Sequence, residues 1–135
     1  MTPTDDDWAR LREAARRMTE RSYAPYSEVR VGAAALTDDG RVVTGCNVEN
    51  VSSGIGICAE VNLCGHLVAG GGGRLVALSV VAGDGLPISP CGRCRQFLYE
   101  FGGPDLLVER DDGVVSLGRL LPEAFGPDDL LRRSG

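Results

Sequence analysis

Apolar residues recur along this chain in three patterns, each with its own structural meaning. Trp8, Leu11, Ala15 and Met18 fall three or four apart, the spacing of one helix face, behind a start made of Thr4 and the acids Asp5, Asp6 and Asp7. That helix is predicted to reach about Arg21, where Tyr23-Ala24-Pro25-Tyr26-Ser27 breaks it. Val29, Val31, Ala33 and Ala35 then alternate with other residues up to the turn Asp38-Asp39-Gly40, and Arg41 to Glu49 is expected to return as an antiparallel partner. On such a strand Asn47 and Glu49, two apart, share a face. The third pattern is a continuous run. Leu75 to Ala82 is almost wholly apolar, as suits the buried centre of a sheet.

Two further helices flank that run. Cys58 to Val68 is closed by the glycines Gly70 to Gly73, and Ser89 with Pro90 suits the cap and first position of a helix reaching Phe101 and stopping at Gly102-Gly103. Short strands are expected around Leu106 to Glu109 and Gly113 to Ser116. The order implies an α/β fold of three layers, α/β/α, with helices on both faces of a mixed sheet of about five strands. At 135 residues, with no repeat or linker, one domain is expected to span 1-135.

Charge narrows the partners. With 14 basic and 19 acidic residues the formal net charge is −5, the wrong sign for gripping a phosphate backbone, so no nucleic acid partner is expected. Met1 to Glu20 alternates acids and arginines without an apolar run, so neither a secretory signal nor a membrane segment is expected there. The protein is therefore read as cytoplasmic. Thiols stay reduced in that compartment, which makes the five cysteines ligands or buried apolar groups rather than disulfide partners.

Three of these cysteines sit where chemistry is expected. Cys58-Ala59-Glu60 and Pro90-Cys91-Gly92-Arg93-Cys94 both open predicted helices, whose free amides and partial positive charge favour thiolates. Cys91 and Cys94, at i and i+3, share a helix face and can grip one zinc ion, with Cys58 as the third ligand. Three protein ligands leave a fourth position for water, the arrangement of catalytic rather than structural zinc. Glu60, two residues past a ligand, is then placed to take a proton from that water and deliver it to a substrate ring. Two other readings stay open: a closed four-cysteine site completed by Cys46 or Cys64, and a redox pair at Cys91 and Cys94. Both leave Glu60 without a task. A ligand-x-Glu element joined to Pro-Cys-x-x-Cys is the pattern of zinc nucleobase deaminases.

The order of motifs extends the likeness along the chain. Tyr23-Ala24-Pro25-Tyr26-Ser27, Val31-Gly32-Ala33-Ala34, Gly45-Cys46-Asn47-Val48-Glu49-Asn50, Cys58-Ala59-Glu60, Pro90-Cys91-Gly92-Arg93-Cys94-Arg95-Gln96 and Leu120-Leu121-Pro122-Glu123-Ala124-Phe125 occur in the order found in cytidine deaminases. From about Ser22 to Leu130 the chain resembles the short, homotetrameric branch of that family. The resemblance implies hydrolysis of cytidine, and of deoxycytidine, to the uracil nucleoside and ammonia in pyrimidine salvage. It also implies a Zn2+ cofactor, Asn47 and Glu49 on the ribose hydroxyls, and Phe125 stacked on the base in a neighbouring subunit. The bland alternative for Phe125 is core packing.

The departures are as specific. Val29 stands where the family often has Phe, Ser53 where it has Tyr, and Val61 where an Arg commonly follows the catalytic glutamate. Three thiolates around one divalent zinc carry a net charge of −1, so compensation is expected from Arg95 and the two helix N-termini. His66 lies two turns beyond Cys58 and is expected to take no part. Val61 and the Ser89-to-Gln96 segment also resemble blasticidin S deaminases, which act on a cytosine-bearing antibiotic whose sugar is not a ribose. A zinc-stabilised module without turnover is the remaining alternative, and it requires a fourth protein ligand.

Overall fold

The computed structural model describes residues 2–134. Helix α1 (Asp5–Thr19) begins in a capping box: the Thr4 side chain accepts from the Asp7 amide and the Asp7 carboxylate from the Thr4 amide. Losing the Thr4 half of that box costs a helix about 0.5–2 kcal/mol. Five strands follow in one sheet: β1 (Val31–Thr37), β2 (Val42–Cys46), β3 (Leu75–Ala82), β4 (Leu107–Arg110) and β5 (Gly113–Ser116). Their order is β2-β1-β3-β4-β5, parallel only between β3 and β4. The expected mixed five-stranded sheet is therefore present.

Strand alternation divides the core. Ala34 and Leu36 of β1, with Ala77 and Val81 of β3, meet Trp8, Leu11 and Ala15 of α1 on one face. Ala33 and Ala35 meet helices α2 (Ala59–Ala69) and α3 (Gly92–Gly102) on the other, through Leu63, Leu67 and Leu98. On the α1 side, Glu109 is buried and accepts from Arg12 Nε at 2.7 Å and Ser79 Oγ at 3.0 Å, which supplies the partners a buried carboxylate needs.

Two glycines set how closely the layers approach. A Cβ at Gly32 would lie 1.9 Å from the Ala15 carbonyl oxygen of α1, and one at Gly45 would lie 2.5 Å from both Ala59 O and Leu63 N of α2. Any side chain at either position pushes a helix off the sheet.

The connections place two helix starts together. Strands β2, β3 and β4 run the same way, linked by α2 and α3 on one face, so both helices begin at the carboxyl ends of strands. In open α/β sheets that end is where reacting groups gather. Several boundaries differ from those expected. Strand β2 stops at Cys46, and α3 starts at Gly92 with Cys91 as its cap, not at Ser89 and Pro90. The C-terminal segment, for which no helix was expected, forms α4 (Leu117–Leu120) and α5 (Pro127–Ser134). Among the described residues no helix is long and apolar enough to cross a membrane.

Candidate active site

Cys58 and Cys91 are the N-cap residues of α2 and α3, and Cys94 lies one turn into α3. The three sulfurs lie within 4.8 Å of one another, with Cys91 and Cys94 at 3.5 Å. Tetrahedral zinc with bonds of about 2.3 Å holds its sulfurs about 3.8 Å apart, so the arrangement fits one ion. A set of three sulfur donors also matches the chemistry of zinc better than that of magnesium or calcium. The fourth position falls to no sulfur among the described residues: neither Cys46 nor Cys64 joins the cluster. Burial raises both of these thiols, and Cys64 is pushed up to about 12 by burial and the nearby Glu60 charge. They are core residues.

Burial and hydrogen bonding pull on the three clustered thiols in opposite directions. Burial raises Cys58 and Cys94, while Cys91, which burial would also raise, is held below the ordinary thiol value by hydrogen bonding from the Cys94 backbone and from the Cys94 and Cys58 side chains. A bound cation favours thiolate at all three. Glu60, in the first turn of α2, is only 4% exposed. Burial raises its pKa, with hydrogen bonds from its own backbone and from the Cys94 side chain acting against that. The carboxyl so placed sits beside the three clustered sulfurs.

Hydrogen bonds from neighbouring segments fix the two helix starts. Arg93 Nη2 donates to the Gly56 carbonyl at 3.2 Å, joining the first turn of α3 to the loop before Cys58. Asn62 Nδ2 donates to the Cys46 carbonyl at 3.1 Å, tying α2 to the end of β2. Arg95, the expected offset to thiolate charge, donates to Pro90 O at 2.8 Å, Leu120 O at 2.8 Å and Ser89 Oγ at 2.9 Å, all neutral acceptors. It braces the loop that carries Cys91. The two helix N-termini lie at the same cluster with their partial positive ends. His66, as expected, stands apart, its Nδ1 donating to the Thr44 carbonyl at 2.6 Å.

Asn47 and Glu49 lie past the end of β2, in extended chain where Val48 bridges both Tyr23 and Ile57. Both reach the same segment, Ser22 to Val31. Asn47 Oδ1 accepts from the Ser22 hydroxyl and from the Val31 amide at 2.9 Å, while Nδ2 donates to the Val29 carbonyl at 2.8 Å. Glu49 Oε1 accepts from the Tyr26 amide at 2.9 Å and the Ser27 amide at 3.1 Å, and Oε2 from the Ser27 hydroxyl. These bonds, led by that of the Ser27 side chain, hold the Glu49 carboxyl below the usual carboxylate range. The sequence presents Ser27 only as the last member of the Tyr23-to-Ser27 motif and Ser22 only as the start of the family resemblance. The one signal of their role was a run of small and turn-forming residues facing a polar pair later in the sequence.

Phe125 is 62% exposed, which removes core packing as its role, and its carbonyl accepts from Gln96 Nε2 at 2.8 Å. Val51 and Ile55, on the loop before Cys58, are exposed as well. A surface cavity of about 420 Å³ lined by Arg74, Tyr99, Glu100 and Arg132 contains neither the clustered cysteines nor Glu60.

Comparison with known proteins agrees with this geometry. Residues 6–109 match the family model described as the cytidine and deoxycytidylate deaminase zinc-binding region. A cytidine deaminase of Mycobacterium tuberculosis is 56% identical over 128 residues, covering 95% of this chain and 96% of that protein. One from Sporosarcina psychrophila is 37% identical over 129 residues, with 92% and 95% coverage. The crystal structure of the Mycobacterium tuberculosis cytidine deaminase superposes with a TM-score of 0.87 at 55% identity, covering 89% of this chain and 98% of the other. That of Mycobacterium leprae gives 0.85 at 50% identity, with 87% and 98% coverage. The three-sulfur cluster and the buried Glu60 fall on helices α2 and α3 inside the matched region, and the chain belongs to the zinc-binding cytidine and deoxycytidylate deaminase family.

Proposed function

We propose that this protein hydrolyses the exocyclic amine of cytidine and deoxycytidine, releasing ammonia, with Cys58, Cys91 and Cys94 as zinc ligands and Glu60 as the proton carrier. The observation that carries this reading is the Glu60 carboxyl, buried beside three sulfurs set for one metal. Zinc, when bound, supplies an activated water. The chain's own contribution is to hold and move protons. The Glu60 carboxylate takes one proton, passes it to the ring nitrogen next to the carbon under attack, and serves again at the departing amine.

Hydrogen-bond arithmetic at Asn47 and Glu49 supports a nucleoside sugar. Three of about four acceptor positions on Glu49 and one of two N–H groups on Asn47 are already used among the described residues. One acceptor and one donor remain. A single hydroxyl can use both, and the 3′-hydroxyl is the one that cytidine and deoxycytidine share. This pair also favours a ribose-like sugar over that of blasticidin S.

The active form is a homotetramer in which the exposed Phe125 ring covers a neighbour's base, and the setting is cytoplasmic pyrimidine salvage by one domain spanning the chain. Exposed Val51, Ile55 and Phe125 support an assembled site. The deciding experiment pairs zinc analysis with ammonia release from cytidine, deoxycytidine, cytosine, CMP and blasticidin S. Glu60→Gln is expected to keep about one zinc per chain and lose nearly all turnover, because the amide keeps the shape but carries no proton. Loss of zinc from that variant would make Glu60 a ligand and reject the role.

A further inference from the structure

We infer that Ser27 is a positioning residue for sugar recognition, one that selects which acceptor of Glu49 is left to face the substrate. The inference rests on the proposed role of Asn47 and Glu49 at the 3′-hydroxyl.

Ser27 meets the carboxylate twice, through its backbone amide to Oε1 and its hydroxyl to Oε2. One residue thereby holds both oxygens and stops the carboxylate from turning about its last bond. The same hydroxyl accepts from the Val29 amide at 3.0 Å, so its own hydrogen is directed at Glu49. The backbone is bent to allow this. Glu28 has φ 62, a left-handed conformation that an ordinary L residue adopts only when its surroundings impose it, and its amide donates to the Ala24 carbonyl at 3.0 Å. That turn brings the Tyr26 and Ser27 amides onto the same oxygen.

Without the Ser27 hydroxyl, Oε2 loses its fixed partner while the Tyr26 and Ser27 amides still hold Oε1, so the carboxylate pivots about that oxygen and the bond of Oε2 to the sugar becomes one of several orientations. Catalytic groups lie on other elements and keep their places. The expected signature is a loss of sugar discrimination, carried mainly by KM, with little change in kcat.

The test compares deoxycytidine with 2′,3′-dideoxycytidine, which lacks only the 3′-hydroxyl, in the zinc-loaded wild-type, Ser27→Ala and Ser27→Thr proteins. Wild type is expected to prefer deoxycytidine by roughly tenfold or more in kcat/KM, the range of one hydrogen bond to a charged group. Ser27→Ala should lose most of that preference, and Ser27→Thr, which keeps a hydroxyl, should retain it. Carbon NMR should show the Glu49 carboxyl titrating at higher pH in Ser27→Ala and unchanged in Ser27→Thr. Equal preference in wild type and Ser27→Ala overturns the inference while leaving the sugar reading intact. A wild type indifferent to the 3′-hydroxyl overturns the sugar reading and the inference with it. Should Ser27→Ala fold poorly, Ser27→Thr without its preference overturns the positioning role by itself.

Discussion

Cys58 and Cys91 occupy the same place in two different helices: each is the extended residue at the N-cap position, and neither spends its side chain on a capping hydrogen bond. The equivalence follows from the two parallel crossovers, which start both helices at one end of the sheet. A metal held there joins α2 to α3, and with them two segments that are 33 residues apart in sequence.

Removal of a ligand should therefore cost both metal and stability. Cys91→Ala and Cys94→Ala are expected to lose zinc and to melt at lower temperature than wild type, whereas Cys46→Ser and Cys64→Ser keep about one zinc per chain. Cys64 is fully buried, so its serine variant should still lose about 1–3 kcal/mol of stability through an unsatisfied hydroxyl. Metal analysis and thermal melts on the same samples separate the two effects. Zinc lost from Cys46→Ser would point to a closed four-cysteine site.

The contacts of Arg95 distinguish bracing from charge compensation. A lysine at this position keeps the charge but cannot serve Pro90, Leu120 and Ser89 together with one planar fork. Arg95→Lys is expected to weaken zinc retention against a chelator nearly as much as Arg95→Ala. Full retention in the lysine variant would restore charge as the reason for the arginine.

The sequence disclosed the sheet, the helices that carry the clustered cysteines and the three cysteines themselves because each rests on a local pattern: alternation, a glycine stop, an i, i+3 pair. It was silent on α5, an eight-residue helix too short for its Leu130 and Leu131 to recur as an apolar repeat. It did not show the bracing contacts of Arg95, because its carbonyl partner Leu120 lies 25 residues away and is brought near only by the fold. Asn47 and Glu49 were read as a pair on one face, and both do reach one segment. Their anchoring by Ser22 and Ser27 depends on loop geometry that no periodicity reports.

Oligomer dependence has a direct test. Inactive Glu60→Gln subunits mixed with weakened Phe125→Ala subunits under exchange are expected to recover part of the activity, since hybrid sites combine an intact Glu60 with an intact Phe125. Absence of recovery in proven hybrids would confine Phe125 to its own subunit.

Acid sensitivity should have a component in α1. The Glu13 carboxyl is lowered from 4.5 to about 2, chiefly by hydrogen bonding from Arg16. A carboxyl depressed in the folded state adds stability that is complete above its unfolded value and fades as pH falls towards the folded one. The window is therefore about pH 4.5 down to about 2. Glu13→Gln should be slightly less stable than wild type to urea at pH 7, with the gap closing across that window. Because the group is fully exposed, the gap should also shrink in high salt.

Gly45 holds a different kind of dependence. It has no side chain to offer, yet α2 lies against it at a distance that admits no further atom, and α2 carries Cys58 at its N-cap and Glu60 in its first turn. Mutational surveys that infer importance from what is taken away will pass over such a position, since there is nothing to remove. Its contribution becomes measurable only by addition: a single methyl group, the smallest change available, tests the placement of the whole reaction centre.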